Sequence, residues 1–165
     1  MGMGYVLKCS NDCCEYERML FAGVGIGFPE TYNELMKDAK AGKISEAHTE
    51  FLKENPEGAL NAEVRIYQCS KCGHIYTDYD LSMYVRREDY GEIPPKGRWS
   101  VAFPAEGVQY VAPYELSEFY RLYKEFPHHC PDCGGKAVVL DVVDQVSEKC
   151  PECGSELTVD TLLWD

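Results

Sequence analysis

Cys130-Pro131-Asp132-Cys133-Gly134 and Cys150-Pro151-Glu152-Cys153-Gly154 are two copies of one phrase, C-P-x-C-G. A third segment, Cys69-Ser70-Lys71-Cys72-Gly73, keeps the same C-x-x-C-G skeleton. In such a knuckle a tight turn aims both sulfurs at one point, and backbone N–H groups can bond to the thiolates. The glycine supplies the positive φ that the turn requires after its second cysteine. Two knuckles from distant parts of a chain complete a tetrahedron of sulfur around a divalent ion. The ion then replaces much of the core that a small segment cannot build for itself.

The chain has nine cysteines, and the remaining three lie together in Cys9-Ser10-Asn11-Asp12-Cys13-Cys14-Glu15-Tyr16. This stretch reads as a knuckle with one extra residue. An insertion before Cys13 makes Cys9 and Cys13 the ligands and puts Cys14 in the place of the glycine; the other placement makes Cys14 the second ligand. We take Cys13 as the ligand. The expected sites are then Cys9, Cys13, Cys69 and Cys72 in the N-terminal half, and Cys130, Cys133, Cys150 and Cys153 in the C-terminal half. Two structural Zn²⁺ ions would fill them. Iron accepts the same four-thiolate shape, which leaves an electron-carrying reading open.

The knuckles resemble those of the zinc-ribbon, or rubredoxin-like, superfamily. The whole layout is similar to uncharacterised bacterial proteins with one interrupted and one continuous zinc ribbon. The resemblance implies a fold and a metal, and no activity.

Around the knuckles the sequence predicts a small, metal-stapled α+β protein. Tyr5–Lys8 and Glu63–Gln68 read as strands entering the first ribbon. Lys136–Val143 and Glu156–Trp164 read as the out and return strands of the second. A helical insertion interrupts the first ribbon at about residues 20–58. Thr31-Tyr32-Asn33-Glu34 has the form of a capping box before one helix, and Glu46–Asn55 reads as a second helix with Phe51 and Leu52 on its apolar face. Another helix is expected from Pro113 through Tyr114–Phe126. The expected division is an interrupted ribbon at 1–89, a Pro/Gly-rich linker at 90–112, and a helix plus ribbon at 113–165.

Three further features are read conservatively. Gly23-Val24-Gly25-Ile26-Gly27 lacks a Walker lysine and does not match G-x-G-x-x-G, so it reads as closely approaching backbone beside the ribbon. His74, His128 and His129 flank knuckles but are not needed in four-cysteine sites, and the His128-His129 pair reads as an exposed approach. Most of the twelve tyrosines read as core bulk.

The net charge is -12. From His128 onward there are eight acidic residues against two lysines. Affinity for nucleic acid comes largely from Lys and Arg at phosphates, so that class of partner is not expected, nor is an anionic membrane surface. No apolar run reaches the roughly 20 residues that span a bilayer, and the first residues lack the layout of a signal peptide. The expected compartment is the cytoplasm, where clustered thiols stay reduced and bind metal. Four-cysteine sites are coordinatively closed, so the ions are not expected to activate water. The expected role is a non-catalytic adaptor whose partner is another protein. The alternatives are a nucleic-acid-associated ribbon and a rubredoxin-like electron carrier.

Overall fold

Strand-forming residues flank every knuckle, and the way those strands pair decides which cysteines meet. The computed structural model describes residues 2–88, 110–140 and 149–164. In chain order its elements are β1 (Gly2–Cys9), β2 (Glu17–Gly23), α1 (Phe28–Lys40), α2 (Glu46–Glu54), β3 (Ala59–Leu60), β4 (Val64–Cys69), β5 (Ile75–Tyr79), β6 (Met83–Arg86), α3 (Pro113–Phe119), β7 (Tyr120–Lys124), β8 (Ala137–Val139) and β9 (Leu157–Trp164). The described residues thus form a small α+β protein with antiparallel sheets, three helices and two clusters of four cysteines. No helix among them is long and apolar enough to cross a membrane.

The chain divides into two units, each assembled from separate stretches. One comprises Met1–Gly25, Val64–Tyr79 and Pro127–Asp165, and the other Ile26–Glu63 and Asp80–Phe126. This division cuts across the expected one at 1–89, 90–112 and 113–165. Residues 90–109 of the expected linker lie outside the described residues, as do 141–143 of the expected strand Lys136–Val143.

The first unit holds a sheet in the order β5-β4-β2-β1-β9, with β8 also paired to β4. Side chains directly opposite one another share a face. Leu7 lies opposite Arg18 and Val159, and Tyr5 opposite Leu20. That face buries Leu7, Leu20, Ile66 and Ile75, with Tyr5, Ala22, Leu140, Leu157 and Val159 packed against them. The two C-terminal strands do not form the expected hairpin with each other. β8 runs antiparallel to β4, and β9 runs antiparallel to β1 along its whole length. His128 is also not the exposed residue expected. It is buried, its ring stacks on Tyr67 at 4.0 Å, and its Nδ1 lies 3.4 Å from Asp78 Oδ2. The Ala137 N–H, bonded to the His128 carbonyl at 3.0 Å, draws the segment onto the sheet. His129 remains exposed.

The second unit packs the helices with the three-stranded sheet β3-β6-β7. Its core contains Ala39, Phe51, Leu52, Leu60, Met83 and Val85, with Met36 and Ile44 against them. α1 begins earlier than the Thr31–Glu34 pattern predicts. Gly27 is its N-cap, Pro29 lies in the first turn, and the Thr31 N–H already donates to the Gly27 carbonyl at 3.0 Å. Proline suits that first turn because its missing N–H has no partner to lose there. α2 follows expectation, with the Ser45 side chain capping the His48 N–H. α3 is shorter than the expected helix. Leu116, Phe119, Tyr120 and Tyr123 have helical spacing, but from Tyr120 the backbone is extended and pairs with β6. Pairing with a neighbouring strand has overridden local periodicity. The tyrosines are divided: Tyr32, Tyr67, Tyr110 and Tyr120 are buried, whereas Tyr114 and Tyr123 are exposed.

Leu81 has a positive φ of 57°, a conformation that costs a branched residue about 1–2 kcal/mol. His48 pins it. The fully buried imidazole donates Nε2–H to the Leu81 carbonyl at 2.8 Å, and its Nδ1 lies 2.7 Å from Ser45 Oγ. Burial lowers the His48 pKa below its ordinary 6.5. The neutral ring is therefore the folded form, and the unfolded chain takes up a proton more readily. The resulting stability is present above about pH 6.5 and is lost as pH falls below it. His48→Ala is expected to destabilise the protein by about 1–3 kcal/mol in urea titrations near neutrality. The gap from wild type should narrow in titrations at about pH 5.5.

Candidate metal centres

Three knuckles close by the same local rule. The N–H of Gly73, Gly134 and Gly154 donates to the carbonyl of Cys69, Cys130 and Cys150 at 3.0, 2.9 and 2.8 Å. Each glycine has positive φ, at 78°, 66° and 76°. The N–H of each first cysteine returns to a carbonyl just past that glycine: Cys69 to His74, Cys130 to Gly135 and Cys150 to Ser155.

The N-terminal knuckle is longer. The Cys9 N–H reaches on to Tyr16 at 3.1 Å. Asn11 Oδ1 accepts the Cys13 N–H at 3.1 Å, and the Cys14 N–H donates to the Asn11 carbonyl at 2.9 Å. This asparagine-centred turn absorbs the added length and leaves Cys13 exposed.

The sulfurs gather into two tetrads, Cys9 with Cys14, Cys150 and Cys153, and Cys69 with Cys72, Cys130 and Cys133; within each, all four lie within 4.8 Å of one another. Close approaches are 3.4 Å for Cys9–Cys153 and 3.6 Å for Cys14–Cys150. In the other tetrad they are 3.5 Å for Cys69–Cys133, 3.7 Å for Cys72–Cys130 and 3.4 Å for Cys72–Cys133. A tetrahedral ion with metal–sulfur bonds of about 2.3 Å needs sulfur–sulfur edges of about 3.8 Å. A disulfide needs about 2.05 Å. The donor sets fit a four-thiolate ion and are not disulfides.

Two expectations are corrected. Cys130/Cys133 and Cys150/Cys153 do not share a site; each joins a knuckle from the N-terminal half. Equal C-x-x-C spacings carry no information on which knuckles couple. Strand pairing does: β9 delivers one C-terminal knuckle to β1, and β8 delivers the other to β4. Cys14, not Cys13, stands in the first tetrad. The preferred register needed Cys14 in the left-handed place of the glycine. Leu81 is the one non-glycine at positive φ among the described residues, and the longer turn avoids that strain. In either register a non-glycine, Cys14 or Glu15, follows the second ligand, so the residues themselves carried no sign between the two. The other seven expected cysteines all fall in one tetrad or the other.

The two centres repeat one construction. Cys9 lies opposite Leu157 and Cys69 opposite Ala137. The next N–H, of Ser10 or Ser70, donates to the carbonyl of Glu156 or Lys136 at 2.9 Å in both cases. Lys149↔Glu156 and His129↔Lys136 are matching bridges at the knuckle bases.

Charge is unevenly held inside each tetrad. The N–H groups of Cys72 and Lys71 help lower the Cys69 thiol to about 6, and the Ser155 hydroxyl and N–H lower Cys153 to about 6. Against the pull of the His74 N–H, the Cys133 sulfur and burial push Cys72 up to about 12. Against that of the Tyr16 N–H, burial and the neighbouring sulfurs push Cys14 up to about 12. Sulfurs this close cannot all be thiolates without a cation among them. Metal entry must therefore expel protons, and falling pH must favour release.

No protein-family model, curated protein or solved structure matches this chain.

Native mass spectrometry checks the ligand assignment. Cys13→Ser should keep two ions per chain and Cys14→Ser should keep one. In chelator competition, metal retention should fall steadily between about pH 8 and about pH 5 as protons return to the thiols.

Proposed function

We propose that the chain is a zinc-ribbon-like protein with two structural Zn²⁺ ions, acting as a non-catalytic interaction or adaptor module. The carrying observation is the pair of four-cysteine tetrads, each joining a knuckle from the N-terminal half to one from the C-terminal half. A four-thiolate ion keeps no open position for a substrate, so its work is to hold the chain in shape. Zinc suits this use because it has no redox chemistry and no geometric preference of its own. The partner is another protein, met in a compartment where thiols stay reduced. The net charge of -12 opposes nucleic acid as the partner.

Elemental analysis should give two zinc ions per chain and no visible colour. A red protein with iron–thiolate absorption would replace this reading with electron transfer. Complete chelation should reduce the β-sheet signal in circular dichroism, through the sheet of the first unit; an unchanged spectrum would remove the structural role. Labelled single-stranded and duplex oligonucleotides at low salt should not bind. A protein partner captured from the native cell should be lost when both tetrads are disabled.

A further inference from the structure

The two centres share one construction but differ at each position where a centre could be sealed. At the centre of Cys69, Gly135 presses its backbone onto the sulfurs. A Cβ placed there would stand 3.0 Å from Cys69 Sγ, 3.3 Å from Cys133 Sγ and 2.8 Å from Lys71 Cβ. The matching residue at the centre of Cys9 is Ser155, whose hydroxyl and N–H hydrogen-bond to the Cys153 sulfur. The facing knuckle is also the longer one, turned at Asn11.

The residue between the C-terminal cysteines also differs. Asp132 turns to His74, with its Oδ2 3.4 Å from Nδ1. Glu152 points at the tetrad, its Oε2 3.5 Å from Cys14 Sγ. A carboxylate beside a dianionic four-thiolate complex weakens it and offers an alternative oxygen donor to the ion. Burial follows the same order. Cys69 and Cys130 are both buried at one centre, whereas only Cys150 is buried at the other.

We propose that the centres divide their labour. Cys69, Cys72, Cys130 and Cys133 form a permanent staple. Cys9, Cys14, Cys150 and Cys153 form an exchangeable site for a thiophilic divalent ion, with Glu152 setting its lability. The proposal rests on reading both tetrads as metal centres. An ion leaving the exchangeable site removes the clamp at the knuckle end of the β1–β9 pair and leaves β4–β8 clamped, so metal supply is read out as the hold on the C-terminal strand.

The test uses the full-length zinc-loaded protein and a chromogenic chelator. Release should be biphasic, one ion per phase, with rates at least about tenfold apart. Cys14→Ser should abolish the fast phase and keep the slow one. Glu152→Gln leaves all the cysteines in place and should slow the fast phase. Hydrogen exchange after the fast phase should rise in β1 and β9 and stay low in β4 and β8. A single phase for both ions, a fast phase that survives Cys14→Ser, or a fast phase indifferent to Glu152→Gln would overturn the proposal. Native mass spectrometry before the challenge separates the two levels of failure. A protein that carries no ions overturns the metal reading itself; one that carries two and releases them together overturns only the division of labour.

Discussion

Two pairs of sulfurs meet across the sheet, and the first unit depends on that meeting. A knuckle alone is a turn with two thiols at its tip. It becomes a centre only when another knuckle faces it at the right distance, and here the strands set that distance. Cys9 sits at the end of β1 and Cys69 at the end of β4, each opposite the first residue of its partner strand. The Ser10 and Ser70 N–H bonds then fix the knuckles against each other. Register in the sheet and geometry at the sulfurs are one constraint, because a one-residue slip would turn the cysteines to the other face.

The second unit is held differently. It contains neither tetrad, and its cohesion comes from an apolar cluster and a few buried polar anchors. His48 ties α2 to the strained Leu81 backbone. Glu115, almost fully buried, accepts the Ala112 N–H at 2.7 Å and so fastens the start of α3. These are hydrogen bonds satisfied in a dry setting, where leaving one unmade is costly.

Much of this was legible in the residues. β1, β4, β8, β9 and α2 follow from alternation, helical spacing and turn residues, and the knuckles follow from their glycines. The misses share a physical cause. Thr31–Glu34 fits a cap, yet Pro29 is better placed to open the helix. Tyr120–Lys124 fits a helix face, yet β6 offers it a strand partner. Cys13 and Cys14 look equivalent as sequence, and only the backbone strain of a non-glycine at the turn separates them. The pairing of knuckles had no local signature at all, because it is decided by which strands lie side by side. The equivalence of Cys9-Ser10 and Cys69-Ser70, each followed far downstream by a C-P-x-C-G segment, was the hint that the centres repeat one another, and their ligands are nested along the chain, the first knuckle meeting the last and the second meeting the third.

That order has a consequence for synthesis on the ribosome. Cys9 and Cys14 emerge before Cys150 and Cys153 and must wait for them, with Cys14 and Cys150 lying 136 residues apart. The stretches Ile26–Glu63 and Asp80–Phe126 are both complete before the first C-terminal knuckle appears. The helical unit can settle while four N-terminal thiols are still without their partners, and the β4–β8 centre has its full ligand set before the β1–β9 centre. The last ligands to leave the exit tunnel complete the oldest knuckle, so the nascent chain carries open, metal-hungry cysteines throughout that interval.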